Sequence, residues 1–286
     1  MNIQEIFEGY KVLETEHIKT YSNKVFRVKT DKGNFFLKIF DDENEAYKLS
    51  KLYPMLLERG VPVPEVRHYH KNHLVMSEVP GKMLVEALAG EETYHELGLI
   101  ITRIHSITFD RFGEPDTGFA RWKDMYNEIL DKRLKKVFPD LIEPIRNWFD
   151  KKMHLIDYEI TPRLIHEDLN KKNIFIKDKQ ICIIDFDGSF AGHNEEELMR
   201  LEGVFNNKEM WAIMDSYTSI IPLDEGYEKR RPFYYLSRLL VHIGCVIENG
   251  TDYVGDVKKE EEILREEIQK ILKGKSIAFD KNGPNT

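Results

Sequence analysis

The apolar residues change period along this chain, and that change decides what it can fold into. Over the first third they alternate: residues 18–21, 24–30 and 34–40 read as strands joined by Ser22-Asn23 and Asp31-Lys32-Gly33, and residues 65–70 and 73–78 add two more. Alternation turns one face of each strand inward, and turn chemistry at such short intervals makes an antiparallel meander. From about Met83 the repeat becomes helical, over 91–106, 121–137, 141–155, 195–206, 208–219, 227–248 and 256–272. An earlier stretch at 42–52 also has helical spacing, through Ala46, Leu49 and Leu52, and Pro54 is expected to stop or kink it. Glu45 shares a face with Leu49 and Leu52, so it is expected to point inward and to need a partner. The two patterns meet at Val79-Pro80-Gly81. The expectation is an α+β chain: a small antiparallel β-rich domain at 1–79 and a larger, mainly helical domain at 80–286.

One hairpin interrupts the helical part. In LIHEDLNKKNIFIKDKQICIIDFDGS, residues 164–189, apolar runs at 173–176 and 181–184 flank a polar turn at 177–180. Asp168, Asn173 and Asp185 cluster at the ends away from that turn. A hairpin sets the start of its first strand beside the end of its second, so Asn173 is expected near Asp185. Their amide and carboxylate oxygens are hard ligands suited to Mg²⁺. Asp168, five residues before Asn173, can accept or orient the proton of a hydroxyl. These parts suit phosphoryl transfer, which requires positioning and charge neutralisation more than covalent chemistry.

Composition narrows the partners. The net charge is -8, the sequence pI is about 5.8, and no long block of Lys or Arg occurs, which argues against a nucleic-acid or anionic-membrane partner and is compatible with a cationic substrate. MNIQEIFEGY lacks the basic-then-apolar order of a signal peptide, and no apolar run reaches membrane-spanning length, so a cytoplasmic protein is expected. Cys182 and Cys245 both sit in apolar runs, where packing is the simplest role.

HEDLNKKN followed by IIDFD resembles the catalytic loop and metal-binding segment of the aminoglycoside phosphotransferases and their relatives, the choline, homoserine and fructosamine kinases and a bacterial stress-response protein kinase. NKVFRVKT…FFLKIF, GVPVPEV, LVMSEVPG and LGLIITRIHSI are similar to that family's second and third strands, inter-strand turn, hinge and first large helix. The resemblance implies a two-lobed protein-kinase-like fold and Mg²⁺-dependent transfer of the γ-phosphate of ATP or GTP to a hydroxyl. It implies Asp168 as the catalytic residue and Asn173 and Asp185 as metal ligands. Lys38 would hold the nucleotide phosphates, paired with Glu45 or Glu43. Ser22 and Asn23 would cap those phosphates, Ser77 and Val79 would offer backbone groups to the adenine edge, Met76 would limit pocket depth, and His166 would brace the loop.

Departures from the pattern matter as well. Glu167 stands where protein kinases carry Arg and the small-molecule enzymes usually carry Gly, and His193-Asn194 replaces the usual Asp-Pro. About ten residues separate Asp185 from the helix expected near Glu195, too few for a protein-substrate platform, so a small-molecule acceptor is expected, aminoglycoside-type first and linked to antibiotic resistance. Choline, homoserine and fructosamine acceptors, a stress-type protein kinase and a non-catalytic nucleotide-binding relative are the alternatives. A monomer or dimer is expected. Asp187, two beyond Asp185, can assist the metal, face the acceptor or simply be solvated.

Three further signals have plain explanations. HYHKNH at 68–73 has metal-like spacing, but a hairpin tip at Lys71-Asn72 accounts for it. His105 reads as a satisfied core histidine. The acidic run at 195–197 suits the first turn of a helix, with attraction of an aminium-bearing substrate as the alternative.

Overall fold

The computed structural model describes residues 2–20, 23–114 and 118–274. A short helix, α1 (Ile3–Ile6), capped by the Asn2 side chain, leads into strand β1 (Val12–Ile18). That strand shares only Ile18 with the expected 18–21, of which Tyr21 lies outside the described residues. Its burial shows no alternation because it is an edge strand, and its polar residues, such as Glu16 paired with Arg27 at 3.1 Å, face solvent. Strands β2 (Lys24–Thr30) and β3 (Gly33–Ile39) follow in register, Val28 opposite Phe35 and Phe26 opposite Leu37. After helix α2 (Glu43–Glu58), strands β4 (Val66–His70) and β5 (His73–Ser77) complete an antiparallel sheet in the order β1-β2-β3-β5-β4 among the described residues. The β4–β5 hairpin closes with His70 opposite His73 and Lys71 in the left-handed region at φ 48°.

Helix α2 runs through Pro54 instead of stopping there. Asp42 caps its start, accepting from the Asn44 N–H at 2.9 Å, and Ala46, Leu49, Leu52, Tyr53 and Leu56 are buried on both sides of the proline. That burial outweighs the lost hydrogen bond.

A two-residue strand, β6 (Lys82–Met83), precedes the long helix α3 (Glu91–His105). Helices α4 (Trp122–Leu134) and α5 (Ile142–Lys152) follow, then strand β7 (Arg163–Ile165). The hairpin consists of β8 (Ile174–Lys177) and β9 (Gln180–Ile183), turning through Asp178 and Lys179 at φ 49° and 69°, the two positive values that a tight twisted turn demands. Strand β10 (Phe190–Gly192) pairs with β7, and helices α6 (Asn194–Leu201), α7 (Asn207–Thr218), α8 (Tyr227–Asn249) and α9 (Val257–Leu272) finish the described chain.

The chain divides into two compact units, Met1–Thr93 with Asn170–Gly188, and Tyr94–Leu169 with Ser189–Thr286. The division therefore lies beyond the expected boundary after Val79. It also assigns the hairpin to the first unit, because β6 pairs with β8 and the Ile183 N–H donates to the Pro62 carbonyl at 2.8 Å. Gly81 permits this packing: a Cβ there would lie 2.2 Å from the Ile176 carbonyl oxygen, and its φ is 102°. The second unit is built on an apolar cluster including Trp122, Tyr126, Phe149, Phe233 and Leu240, onto which α9 docks Leu264, Ile268 and Ile271. No helix among the described residues is long and apolar enough to cross a membrane.

Candidate active site

In the first unit the β8–β9 hairpin does what its strands require. Its open end brings Asn173 and Asp185 together, with the Ile184 N–H donating to the Asn173 carbonyl at 3.0 Å. Asn173 is buried, and Asp185 follows at φ 68°, a left-handed conformation for a residue with a side chain. Beyond it Phe186 is fully buried, its ring 5.9 Å from that of Tyr53 on α2. The side chain of Asp185 remains 40% exposed, so a ligand can approach it.

Lys38, near the end of β3, extends its ammonium to Asp185 Oδ1 at 2.7 Å and to Asp187 Oδ2 at 2.6 Å. Asn23 Nδ2 donates to the same Asp187 oxygen at 2.7 Å. Burial disfavours the charged lysine, but the fields of Asp187 and Asp185 outweigh it, so its pKa rises above the ordinary value. Burial, followed by the Asp185 charge, pushes the Asp187 carboxyl up despite the attraction of Lys38. Asp187 Oδ1 is buried with no hydrogen-bond partner among the described residues. A buried carboxylate oxygen without a donor, an exposed aspartate and a neighbouring amide form a set of hard oxygens that fits a Mg²⁺ ion.

Glu45 does not take part in this cluster as expected. It is exposed in the first turn of α2, where a carboxylate is favoured by the helix dipole, and the ion pairs of Lys38 among the described residues go to Asp185 and Asp187. Glu43 is exposed in the same turn. Two aspartates two positions apart, Asp185 and Asp187, replace the expected single glutamate.

Met76 and Val79 are buried and Ser77 half-buried on β5 and just after it. The Ser77 N–H already donates to the Glu65 carbonyl at 2.8 Å, and its hydroxyl accepts from the Glu65 N–H at 3.0 Å. That N–H is therefore not open to a base edge. Ser22 lies outside the described residues.

Asp168 belongs to the second unit and is exposed. Its N–H donates to Nδ1 of the fully buried His166 at 3.2 Å, the bracing geometry expected of that histidine. Below the loop lies a group that the sequence reading did not find. One oxygen of Glu197, on α6, accepts both the His166 N–H at 2.9 Å and the Glu167 N–H at 2.8 Å. Its other oxygen meets His105 Nε2 at 2.7 Å, while His105 Nδ1 meets the Tyr217 hydroxyl at 3.0 Å. Burial opposes ionisation of Glu197, yet His105 and the loop N–H groups prevail and hold its carboxyl below the ordinary value.

The acidic run at 195–197 does form the first turn of α6, as expected, but its carboxylates serve specific partners there. All three carboxylates are buried, and each meets a specific cation or donor: Glu195 forms a two-pronged pair with Arg230, both contacts at 2.6 Å, and Glu196 pairs with Arg133 at 2.7 Å. His193 is buried too, its Nδ1 2.6 Å from the Tyr234 hydroxyl, which also accepts from Trp122 Nε1 at 2.8 Å.

A β-rich unit in which a strand lysine meets paired aspartates, and a helical unit bearing an exposed aspartate on a braced loop, define a protein-kinase-like fold. Residues 15–208 match the Phosphotransferase enzyme family, and the chain belongs to that family. It is an ATP-dependent small-molecule kinase, an enzyme that transfers phosphate to hydroxyl groups. A curated protein of Enterococcus faecium named "Probable ketoamine kinase" is 23% identical over 79% of this chain and 87% of its own length. The crystal structure of a Thermobifida fusca protein assigned as a fructosamine-3-kinase superposes with TM-score 0.70 at 23% identity, covering 93% of this chain and 95% of that one. An amicoumacin kinase in complex with AMP-PNP, Ca²⁺ and Ami gives TM-score 0.72 at 16% identity, covering 95% and 92%.

Proposed function

We propose that the acceptor is a hydroxyl of an amine-bearing sugar, a ketoamine in first place, and that transfer requires Mg²⁺. The observation that carries the ketoamine assignment is the similarity to the Enterococcus faecium protein over most of both chains. An aminoglycoside acceptor is the second reading, favoured by the likeness to an ADP-bound aminoglycoside phosphotransferase, TM-score 0.65. Both acceptors are polyhydroxylated cations, in keeping with a net charge of -8.

In this reading Lys38 exchanges carboxylate for phosphate oxygen when the nucleotide binds, and Asn23 caps the same phosphates. Asn173 and Asp185, with the donorless Oδ1 of Asp187 beside them, would hold the Mg²⁺, which supplies charge neutralisation on the phosphates when bound. Asp187 keeps Lys38 aligned, the task expected of Glu45. Met76 and Val79 line the base site, with the adenine edge read by backbone groups other than the Ser77 N–H. Asp168 orients the acceptor hydroxyl and takes its proton as the new P–O bond forms and the bond to the departing ADP breaks.

The test is phosphate transfer to a panel of a fructosyl-amine, an aminoglycoside, choline, homoserine and casein. Preferential labelling of the fructosyl-amine supports the first reading and of the aminoglycoside the second. Labelling of casein alone overturns both.

A further inference from the structure

Glu167 sits between two arginines. Arg200 Nη1 donates to the Glu167 carbonyl at 2.7 Å, while its Nη2 meets Glu167 Oε1. Arg133 Nη2, from α4, approaches the same carboxylate oxygen at 3.2 Å, and Arg133 Nη1 joins Glu196 and the Ser237 hydroxyl of α8. The backbone of Glu167 is left-handed, at φ 71°. A non-glycine residue persists there only when its surroundings over-determine it. Here they do so from two sides: Glu197 holds the N–H, and Arg200 holds both the carbonyl and the side chain.

We propose that Glu167, clamped by Arg133 and Arg200, is a positioning residue that fixes the strained peptide just before Asp168, and that the clamp holds only while the carboxylate is charged. The inference rests on Asp168 as the proton-handling group of the proposed function. Where a glycine would adopt φ 71° freely, this chain imposes it with a side chain.

The charges acting on Glu167 are Arg133 on α4 and Arg200, Glu196 and Glu197 on α6, with Tyr126 near Arg133, and His166 and Asp168 are its neighbours in sequence. Burial, with the charges of Glu196 and Glu197, pushes the Glu167 carboxyl up to about 7 against the pull of Arg200 and Arg133. Glu167 Oε2 and Glu196 Oε2 are buried without a hydrogen-bond donor among the described residues, so an added proton has an oxygen to occupy.

Two measurements test this. In the first, ADP release from Mg²⁺-ATP is followed between pH 6 and 8. The wild type should lose turnover below about pH 7, whereas Glu167→Gln should turn over at least tenfold more slowly throughout, without that decline and with the KM for ATP within twofold. A wild-type kcat and pH profile in Glu167→Gln overturns the proposal, as does a change confined to KM. Arg200→Gln should move the midpoint of the decline to higher pH, and an unmoved midpoint overturns it even if Glu167→Gln does not fold. The second measurement needs no turnover: protection of the Glu167 and Asp168 amides from hydrogen exchange should rise from pH 6 to 8 in the wild type only. Equal protection in wild type and Glu167→Gln overturns the inference. Failure of the acceptor panel would overturn only the acceptor assignment.

Discussion

Asp168 and Asp185 are both carboxylates at the ends of one sequence segment, yet their surroundings set different expectations. Asp168 is exposed and braced through its backbone by His166, so its removal leaves the loop's hydrogen bonds to Glu197 intact. Asp168→Ala should lower kcat by about 10²- to 10⁴-fold with nucleotide affinity preserved, as read by steady-state kinetics and calorimetry. Near-normal turnover would remove it from the mechanism. Asp185→Ala should instead weaken binding of Mg²⁺-ATP by more than about tenfold in calorimetry, since loss even of a group that supports a metal ligand costs that much. At this scale the sequence was readable where spacing carries geometry: Asn173 and Asp185 meet because a hairpin leaves no alternative. It was misleading at Glu45, where the apolar face of α2 suggested burial but the first-turn position leaves the carboxylate in solvent. The aspartate that meets Lys38 beside Asp185 lies two residues along the same segment and required the turn after β9 to aim it.

The periodic elements were legible, with α8 and α9 ending within two residues of their sequence limits, because an apolar stripe at helical spacing has few other outcomes. Helix α6 was legible as a helix and opaque as a structure. Three consecutive glutamates read as a first turn favoured by the helix dipole, and only the fold brings Arg133 from α4 and Arg230 from α8 to meet them, 63 and 35 residues away in sequence. Buried carboxylates demand such partners, but sequence does not say which arginine will supply them. Within α6, Glu197 carries the most: two loop N–H groups and His105 depend on it. Glu197→Ala should destabilise the protein by about 2–4 kcal/mol, because it leaves buried donors unsatisfied, and should lower the Tm in calorimetry. An unchanged Tm would contradict the support assigned to α6.

For the molecule as a whole, buried titratable groups give stability a defined dependence on pH. His193 is held neutral, chiefly by burial and then by Arg230, with its pKa brought down to about 3. Below about pH 6.5 the unfolded chain binds a proton there that the native chain refuses, so stability should fall as pH falls from 6.5 towards 3. Glu167 acts with the opposite sign: its raised pKa means the native chain keeps a proton that the unfolded chain has lost, and its contribution to stability declines as pH rises from about 4.5 to 7. Glu167→Gln should therefore melt higher than the wild type at pH 8 and equally at pH 4, while turning over more slowly. A lower Tm at pH 8 would contradict this. The clamp beside Asp168 thus trades stability for the geometry of the loop.

The central claim is that this kinase phosphorylates an amine-bearing sugar, and transfer of labelled γ-phosphate from ATP to a fructosyl-amine tests it most directly. The account predicts a phosphorylated fructosyl-amine whose formation depends on Mg²⁺ and drops by about 10²-fold or more in Asp168→Ala. Absence of transfer to fructosyl-amine and aminoglycoside alike, by an enzyme that binds ATP, would contradict it.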